Sequence, residues 1–342
     1  MTKINYSPVL TANNFGINYA EINDGILCTF NKTFNNVKIT KQDTFTLKNA
    51  IMPQNSSTLL GKNEQTPNFS KCIEIKKSTK TPIVLEFNFD KNNNYLNDYL
   101  EIELKQNSSA SVIIKYVGKA NGFCGTTLKI NLQKNANLDL TIFSNNGCNN
   151  LLKIIDEKKE KSKIAYHLID FTSMHTIHSL HSSECSAQTQ TKIDSMFVAD
   201  KNAFMDINYL VELSHEKGTA TLSTIGAIND EAQKHYKGTI KFNKGAKKST
   251  GVEKEFCLML SKNARSKSLP MILCEEEDVS GSHATSAGKV NENDLFYIMS
   301  RGLNKEQATK LLVLAKFEQI IKTIGYTPLK EEILEELNRR LK

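Results

Sequence analysis

Residues 274 to 303 read CEEEDVSGSHATSAGKVNENDLFYIMSRGL, and the fold of the chain turns on this stretch. On its N-terminal side apolar and polar residues alternate with a period of two, as in strands with one buried face. On its C-terminal side the apolar residues recur at the helical period. A change of architecture therefore falls here. The stretch also holds the densest group of metal-ligating residue types in the chain: Cys274, Glu275, Glu276, Glu277, Asp278 and His283. If residues 274 to 278 are extended, Cys274, Glu276 and Asp278 face the same way. With His283 they make a candidate metal set of thiolate, carboxylate and imidazole.

Working back from the joint, the alternation persists from Lys71 to about Met271. CIEIK (72–76), IVLEFNF (83–89), LEIEL (100–104), SVIIKYV (111–117), TLKINL (127–132) and NLDLTIF (137–143) each read as a short strand. A weak repeat suggests how they are joined. KNA at 134–136, KNA at 201–203, KGA at 244–246 and KNA at 262–264 each put a small residue after a polar turn and before a strand. The last two lie 18 residues apart, which is expected to approximate one coil of a β-solenoid. A β-sandwich would need many hairpin turns, and the chain has few, chiefly NDG at 23–25 and NNG at 145–147. The charged run DEKKEKSK (156–163) reads as a solvated turn. Residues 1–70 are rich in Asn, Thr and Lys and read as short strands, such as GILCTF at 25–30 and TFTL at 44–47, with a polar loop from Pro53 to Phe69.

Forward from the joint, Asn291 is placed to cap a helix that ends near Gly302. Asn304 opens a second helix, with Gln307 in capping-box relation. Thr327 and Pro328 read as N-cap and N1 of a third, whose Arg339, Arg340 and Lys342 suit a helix C-terminus. The expected architecture is mainly β: a strand and loop region over 1–70, a β-solenoid over 71–288 and a helical domain over 289–342.

Composition excludes several classes. A formal net charge of +7 over 342 residues, with lysines scattered among acids, describes a solvated surface and no nucleic-acid groove. The N-terminus lacks an apolar leader and no stretch has the length to span a bilayer, so a cytoplasmic protein is expected. Seven cysteines at irregular positions, none in a CxxC pair, argue against a disulfide framework or a closed metal cluster within one chain. There is no GxxxxGK[ST] phosphate loop, GxGxxG, GxSxG or HExxH. His175, His178 and His181 are spaced by three, but in a strand His178 faces away from the other two, which disfavours a shared metal. His283 sits among small residues that leave its imidazole accessible. The acids of the joint also read as plain solvent-facing charges, and Cys274 as a packed strand residue.

The run EFCLMLSKNARSKSLP (255–270), followed by DVSGSHATSAGKV (278–290) and DLFYIMSRGL (294–303), resembles the C-terminal signature of the SufB and SufD family. In that pattern a Leu-rich strand, a Pro-bearing turn, a SerHis-containing segment, and then LeuPheTyr and SerArgGly follow in order. The resemblance covers about residues 235 to 324. It implies a right-handed parallel β-helix with a C-terminal α-helical domain. It further implies a non-catalytic scaffold for iron–sulfur cluster assembly that pairs with a SufB-type β-helix subunit, or with a second copy of itself. The helical domain would bind a SufC-type ABC ATPase, with Leu295, Phe296, Tyr297, Arg301, Gly302 and Phe317 as docking residues, and a cysteine desulfurase would act upstream. His283 corresponds to the family's interface histidine and would ligate iron or a transient cluster. A bound flavin stays open. Glu255 stands where SufB-like chains carry a cysteine, and SHAT replaces HEAT, so the likeness is closest to SufD. Two alternatives stand beside this reading: a SufB-like chain that takes sulfur on Cys257 or Cys185, and a carbohydrate-active β-helix enzyme, which the absence of Trp and the helical tail disfavour.

Overall fold

A computed structural model of the chain describes residues 2–5, 20–22, 33–40, 44–50 and 67–341. The expected strand at 25–30 and most of the loop from 53 to 69 lie outside these residues. Two strands at the start, β1 (Thr2–Ile4) and β2 (Ala20–Ile22), pair antiparallel. The remaining strands form two nine-stranded sheets. The first sheet runs β3 (Val37–Ile39), β6 (Ile83–Phe89), β8 (Ser109–Gly118), β10 (Asn137–Asn145), β12 (Lys163–Thr172), β14 (Gln190–Ala199), β16 (Thr219–Ile228), β18 (Ser249–Met259) and β20 (Val279–Gly288). The second runs β4 (Phe45–Lys48), β5 (Phe69–Ile75), β7 (Tyr95–Leu104), β9 (Phe123–Leu132), β11 (Asn149–Lys158), β13 (Thr176–Glu184), β15 (Phe204–Leu213), β17 (Gln233–Phe242) and β19 (Arg265–Cys274).

Successive strands alternate between the sheets, and each pairs in parallel with the strand one coil later, so the body is a parallel β-solenoid. Within these two sheets only β3 and β4 pair antiparallel with their neighbours, at the N-terminal end. Asn137, Lys163, Gln190, Thr219, Thr250 and Ser280 stack in register, so one coil spans 26 to 31 residues. The 18-residue interval is therefore not a coil. It separates the turn before β18 from the turn before β19, at opposite edges of the flattened coil. The small residue of each repeat does pack inward: Ala136, Ala203, Ala246 and Ala264 are buried beneath their turns. The turns themselves need left-handed backbone, supplied by Asn135, Lys201 and Gly245 at φ 57°, 55° and 103°.

The inward faces of both sheets form one core, including Leu100, Leu140, Ile154, Phe197, Tyr209 and Tyr236. The outer face of the first sheet carries a second core. Phe143, Ile169, Phe171, Met196 and Ile225 pack there against Val313, Phe317, Ile320, Ile333 and Leu337 of the C-terminal helices. These are α1 (Glu292–Met299), α2 (Lys305–Ile321) and α3 (Thr327–Arg340). Asn304 and Gln307 form the expected capping box, and Gly302 takes φ +98°. At α3 the N-cap falls on Tyr326, one residue earlier than expected, with no side-chain cap. Arg340 anchors the last turn to Asp200 at 3.0 Å and to Glu336 at 2.6 Å. Among the described residues no helix is long and apolar enough to cross a membrane.

Candidate functional site

The helices lie along the flank of the solenoid and leave its C-terminal end bare. β19 and β20 are the last strands of their sheets, and no described strand pairs with their outer edges. Every residue from Ser280 to Ala287 is exposed, on both faces of β20, because no described residue covers the end of the lumen. An unpaired edge of this length offers a row of free N–H and C=O groups. Pro270, expected in a turn, lies within β19. Pro is tolerated in an edge strand where its missing N–H faces outward, and β19 is such an edge. No comparable residue blunts β20.

Parity and register fix what faces inward. Ile240 and Phe242 of β17 and Cys257 of β18 belong to the inner core, so Glu253 and Glu255 point into the lumen as well. Their partners one coil on are His283 and Thr285. Beneath the open end the apolar lumen thus turns polar. Lys234 Nζ donates to Glu255 Oε1 at 2.6 Å and to Ser268 Oγ at 2.9 Å. Glu255 Oε2 accepts from Ser268 at 3.0 Å and from Thr285 Oγ1 at 2.5 Å. One residue from each of β17, β18, β19 and β20 is tied into this clamp. Two positions from Thr285 along the same face stands His283, exposed above the lumen.

Glu253, directly below His283 in register, is fully buried and neither carboxyl oxygen has a hydrogen-bond partner. Burial pushes its carboxyl up to about 8, so near neutrality it carries little charge. Gly238 makes the room: a Cβ there would collide with the Glu253 carboxyl and the Tyr236 hydroxyl.

The four ligands expected to share a metal do not converge. Residues 275 to 278 bend between β19 and β20. The Cys274 thiol donates to the Glu276 carbonyl at 3.0 Å. Glu276 folds back to accept the Gly245 and Glu277 amides at 3.0 and 3.1 Å, and the Gly245 amide first of all holds its carboxyl below the ordinary range. Asp278 lies in the same bend, its carbonyl taken by the Lys248 amide. Among the described residues no group of three or more His, Cys, Asp or Glu is arranged to hold a metal ion. The histidine triplet is divided: His178 is buried beside Asp170 at 3.3 Å, while His181 is outside, 3.1 Å from Glu212. Cys257 is fully buried, its thiol pushed up to about 11 by that burial, and Cys185 is half-buried.

One expectation fails, and one further segment departs from apolar parity, for the same reason. The run at 156–163 is half strand: Asp156 and Lys158 point inward, fully buried, ion-paired with each other and bonded to Tyr166 and Ser182. At 252–256, VEKEF, apolar parity would turn Val252 and Phe256 inward, whereas the two glutamates go in. Polar partners supplied by other strands, Tyr166 and Ser182 in the first case and Lys234, Ser268 and Thr285 in the second, cannot be seen within one strand. The signal that remained was two charged residues at alternate positions in a strand.

Of the residues expected to dock a partner, Phe296 and Tyr297 are 74% and 60% exposed on α1, a helix with no buried residue. Arg301 lies over the Tyr297 ring, 5.3 Å from its centroid. Leu295 is half-buried and Gly302 is exposed. Phe317 is different. It is fully buried against the solenoid flank, because it is the apolar face of α2 that seats the helices, and it has no surface to offer.

A family model described as "SUF system FeS cluster assembly, SufBD core domain" matches residues 87–316. The chain belongs to this SufBD family. The match reaches back through most of the solenoid, well beyond the C-terminal signature. Among similar curated proteins, the iron–sulfur cluster assembly protein SufD of Bacillus subtilis (strain 168) is 32% identical over 117 residues, 34% of this chain and 27% of that protein. SufD of Escherichia coli (strain K12) is 22% identical over 246 residues, 70% of this chain and 58% of that protein. An iron–sulfur cluster assembly SufBD family protein of Pyrococcus horikoshii is 31% identical over 133 residues, 39% of this chain and 29% of that protein. The chain therefore spans less than two thirds of the length of the curated relatives it matches. Within the SufBD family it is SufD-like.

Proposed function

We propose that this chain is a SufD-like scaffold subunit of iron–sulfur cluster assembly that works as half of a β-helix pair. The observation that carries this reading is the bare terminal coil, where an exposed imidazole stands over a polar lumen at an unpaired sheet edge. A second β-helix subunit, of SufB type or a second copy, adds its terminal strands to that edge. His283 then lies inside the joined lumen. It offers a neutral ring nitrogen to iron or to a nascent cluster, which is cargo here rather than a resident cofactor. Cys274, Glu276 and Asp278 have no part in this, since the bend after β19 commits them to the turn.

The exposed aromatic surface of α1 docks a SufC-type ABC ATPase, so that nucleotide hydrolysis resides in the partner. Because α2 is seated on β14 and β16, and α3 is tied to the same flank by Glu332 to Lys115 and Arg340 to Asp200, force on α1 is passed to the solenoid flank.

Two measurements test this reading. Co-purification of the native protein should bring down an ABC ATPase and a β-helix subunit; recovery of neither sinks it. His283→Ala should lose cluster assembly by the reconstituted complex while keeping its fold, and unchanged assembly removes His283 from the mechanism.

A further inference from the structure

We infer that the edge of the solenoid at which the second sheet turns into the first is a docking ridge for an acidic α-helix of a partner protein. The inference goes beyond the scaffold reading, which needs neither this edge nor its charge.

Lysines that are scattered in the sequence are gathered there by the fold. The turns KKSTK (76–80), KQNS (105–108), QKNA (133–136), KEKS (159–162), CSAQT (185–189), SHEKG (214–218) and NKGAKK (243–248) all lie on this edge. Together they hold eleven lysines and two glutamates, and every one of these lysines except Lys105 is exposed. The turns of the opposite edge, DKNNN (90–94), KANG (119–122), NGC (146–148), SMH (173–175), DKNA (200–203), NDEA (229–232) and LSKNA (260–264), hold four lysines and four acids. One edge therefore carries more than the chain's whole formal excess of +7. The acids nearest to the ridge, Glu103, Glu157 and Glu212, stand around the corner on outward positions of the second sheet. The C-terminal helices lean the other way, with Arg340 tied to Asp200 at the opposite edge.

The ridge is straight because one hydrogen bond repeats along it. In each turn a residue in left-handed backbone gives its amide to a carbonyl of the next: Asn107 to Lys134, Asn135 to Glu160, Lys161 to Ala187, Gln188 to Glu216 and Lys217 to Lys247. Stacked turns rise by about 4.8 Å, so the seven span about 29 Å. An α-helix repeats a face every about 5.4 Å, and about 20 residues of it match this length. The small difference in rise is within the reach of flexible lysine stems. An extended segment repeats its face every about 6.7 Å and falls out of step sooner. The stripe also has an end, since the next turn along the edge is EEED (275–278).

Most of the charge is unspent. Among the described residues Lys76 and Lys105 pair with Glu74, Lys134 and Lys161 pair with Glu160, and the other seven lysines of the ridge make no ion pair. Near its middle the ridge has a cavity of about 500 Å³ lined by Asn135, Asn137, Lys161, Lys163, Gln188 and Gln190, with Ala136. Its polar side chains are amides and ammoniums with no acid among them, a lining that receives a carboxylate. Three features favour a protein over a phosphate chain or a lipid surface. Glu216 is exposed on the crest, where a phosphate backbone would set an anion against it and a helix can bring one basic residue. No Phe, Tyr or Trp stands in the seven turns to stack a base. No exposed apolar side chain stands there to enter a bilayer.

The test follows the fluorescence anisotropy of a labelled alanine-based helix of about 20 residues, with glutamates along one face, added to the full chain at low ionic strength. The helix should bind, and binding should weaken as salt is raised. Lys161→Glu/Lys163→Glu/Lys217→Glu/Lys247→Glu should lower affinity by more than about tenfold, while Lys91→Glu/Lys119→Glu/Lys201→Glu/Lys262→Glu, of equal net charge but altered at the opposite edge, should stay within about twofold. Lys161→Gln/Lys163→Gln/Lys217→Gln/Lys247→Gln should give an intermediate loss, which is read if the reversed chain fails to fold. A peptide of the same composition with its glutamates spread around the helix should bind less tightly. Equal losses from the two edges, equal binding of the two peptides, or no binding at all overturns the inference. So does tighter binding of a DNA duplex of matched charge, or of phosphatidylserine vesicles, than of the helix. The scaffold reading falls separately, on unchanged cluster assembly by His283→Ala.

Discussion

Thr285 of the last coil hydrogen-bonds Glu255 of the coil before it, Oγ1 to Oε2, at 2.5 Å. Because Glu255 also holds Lys234 and Ser268, the open end is pinned from inside while its outer edge stays bare. The position that SufB-like chains fill with a cysteine is thus a structural anchor here, two residues along the lumen face from the position beneath His283.

Removing one partner of this buried pair should cost far more than removing both. Lys234→Met strands a carboxylate and Glu255→Leu strands an ammonium, and each should destabilise by about 3–5 kcal/mol, while the double variant recovers most of that loss. Urea denaturation of the four proteins checks this. Additive losses would show that the two charges do not act as a pair.

The sequence carried the alternation of the solenoid and the caps of the helices because both are local: a period of two, an Asn three residues before a Gln, a Gly after a helix. It did not carry the coil length. KNA and KGA mark turns at both edges of the coil, so the interval between the last two copies measures about half a coil. Nor did it carry the lumen charges. Lys158 and Asp156 looked like a solvated turn because a lysine's burial depends on partners such as Ser182, one coil away. The exposure of His283 was legible from its small neighbours. Glu253 and the clamp were not, since their meaning lies in register with β20 and β17.

Asp98 gives a pH dependence of defined sign. Burial pushes its carboxyl up to about 8, Tyr116 donates to one oxygen at 2.9 Å, and the other has no partner. The unfolded carboxyl titrates near 4. Between about pH 4 and 8 the folded state therefore keeps a proton that the unfolded state has lost. The contribution is full below pH 4 and falls as pH rises towards 8, by up to about 1.4 kcal/mol per unit. Asp98→Asn should flatten this slope in denaturation curves taken at pH 5 and pH 8. A parallel fall in both proteins would mean that Asp98 is ionised when folded.

Phe317 and Phe296 separate anchoring from docking. Phe317→Ala empties a fully buried site between α2 and the flank and should cost about 3–5 kcal/mol. Phe296→Ala removes a ring that is 74% exposed and should change stability by less than about 0.5 kcal/mol. Under native conditions only the second variant should lose ATPase co-purification with its melting temperature unchanged. Full ATPase capture by Phe296→Ala, Tyr297→Ala and their double variant would place the docking surface elsewhere.

The turns offer a stabilising change whose sign is set by two opposing costs. Lys161 and Lys217 hold φ 58° and 59°, left-handed backbone that disfavours a side chain by about 1–2 kcal/mol. Glycine removes that strain but costs about 0.5–1 kcal/mol in unfolded-chain entropy. Lys161→Gly and Lys217→Gly should each stabilise by about 0.5 kcal/mol, visible as a higher urea midpoint at unchanged slope. Asn135 sits at φ 57° too, but its side chain donates to Asn107 at 2.8 Å, and Asn tolerates this region. Asn135→Gly gives up that ladder and relieves less strain, so it should be neutral or destabilising. Equal gains at all three positions would show that the strain is the same for Lys and Asn and that the Asn135–Asn107 bond contributes nothing.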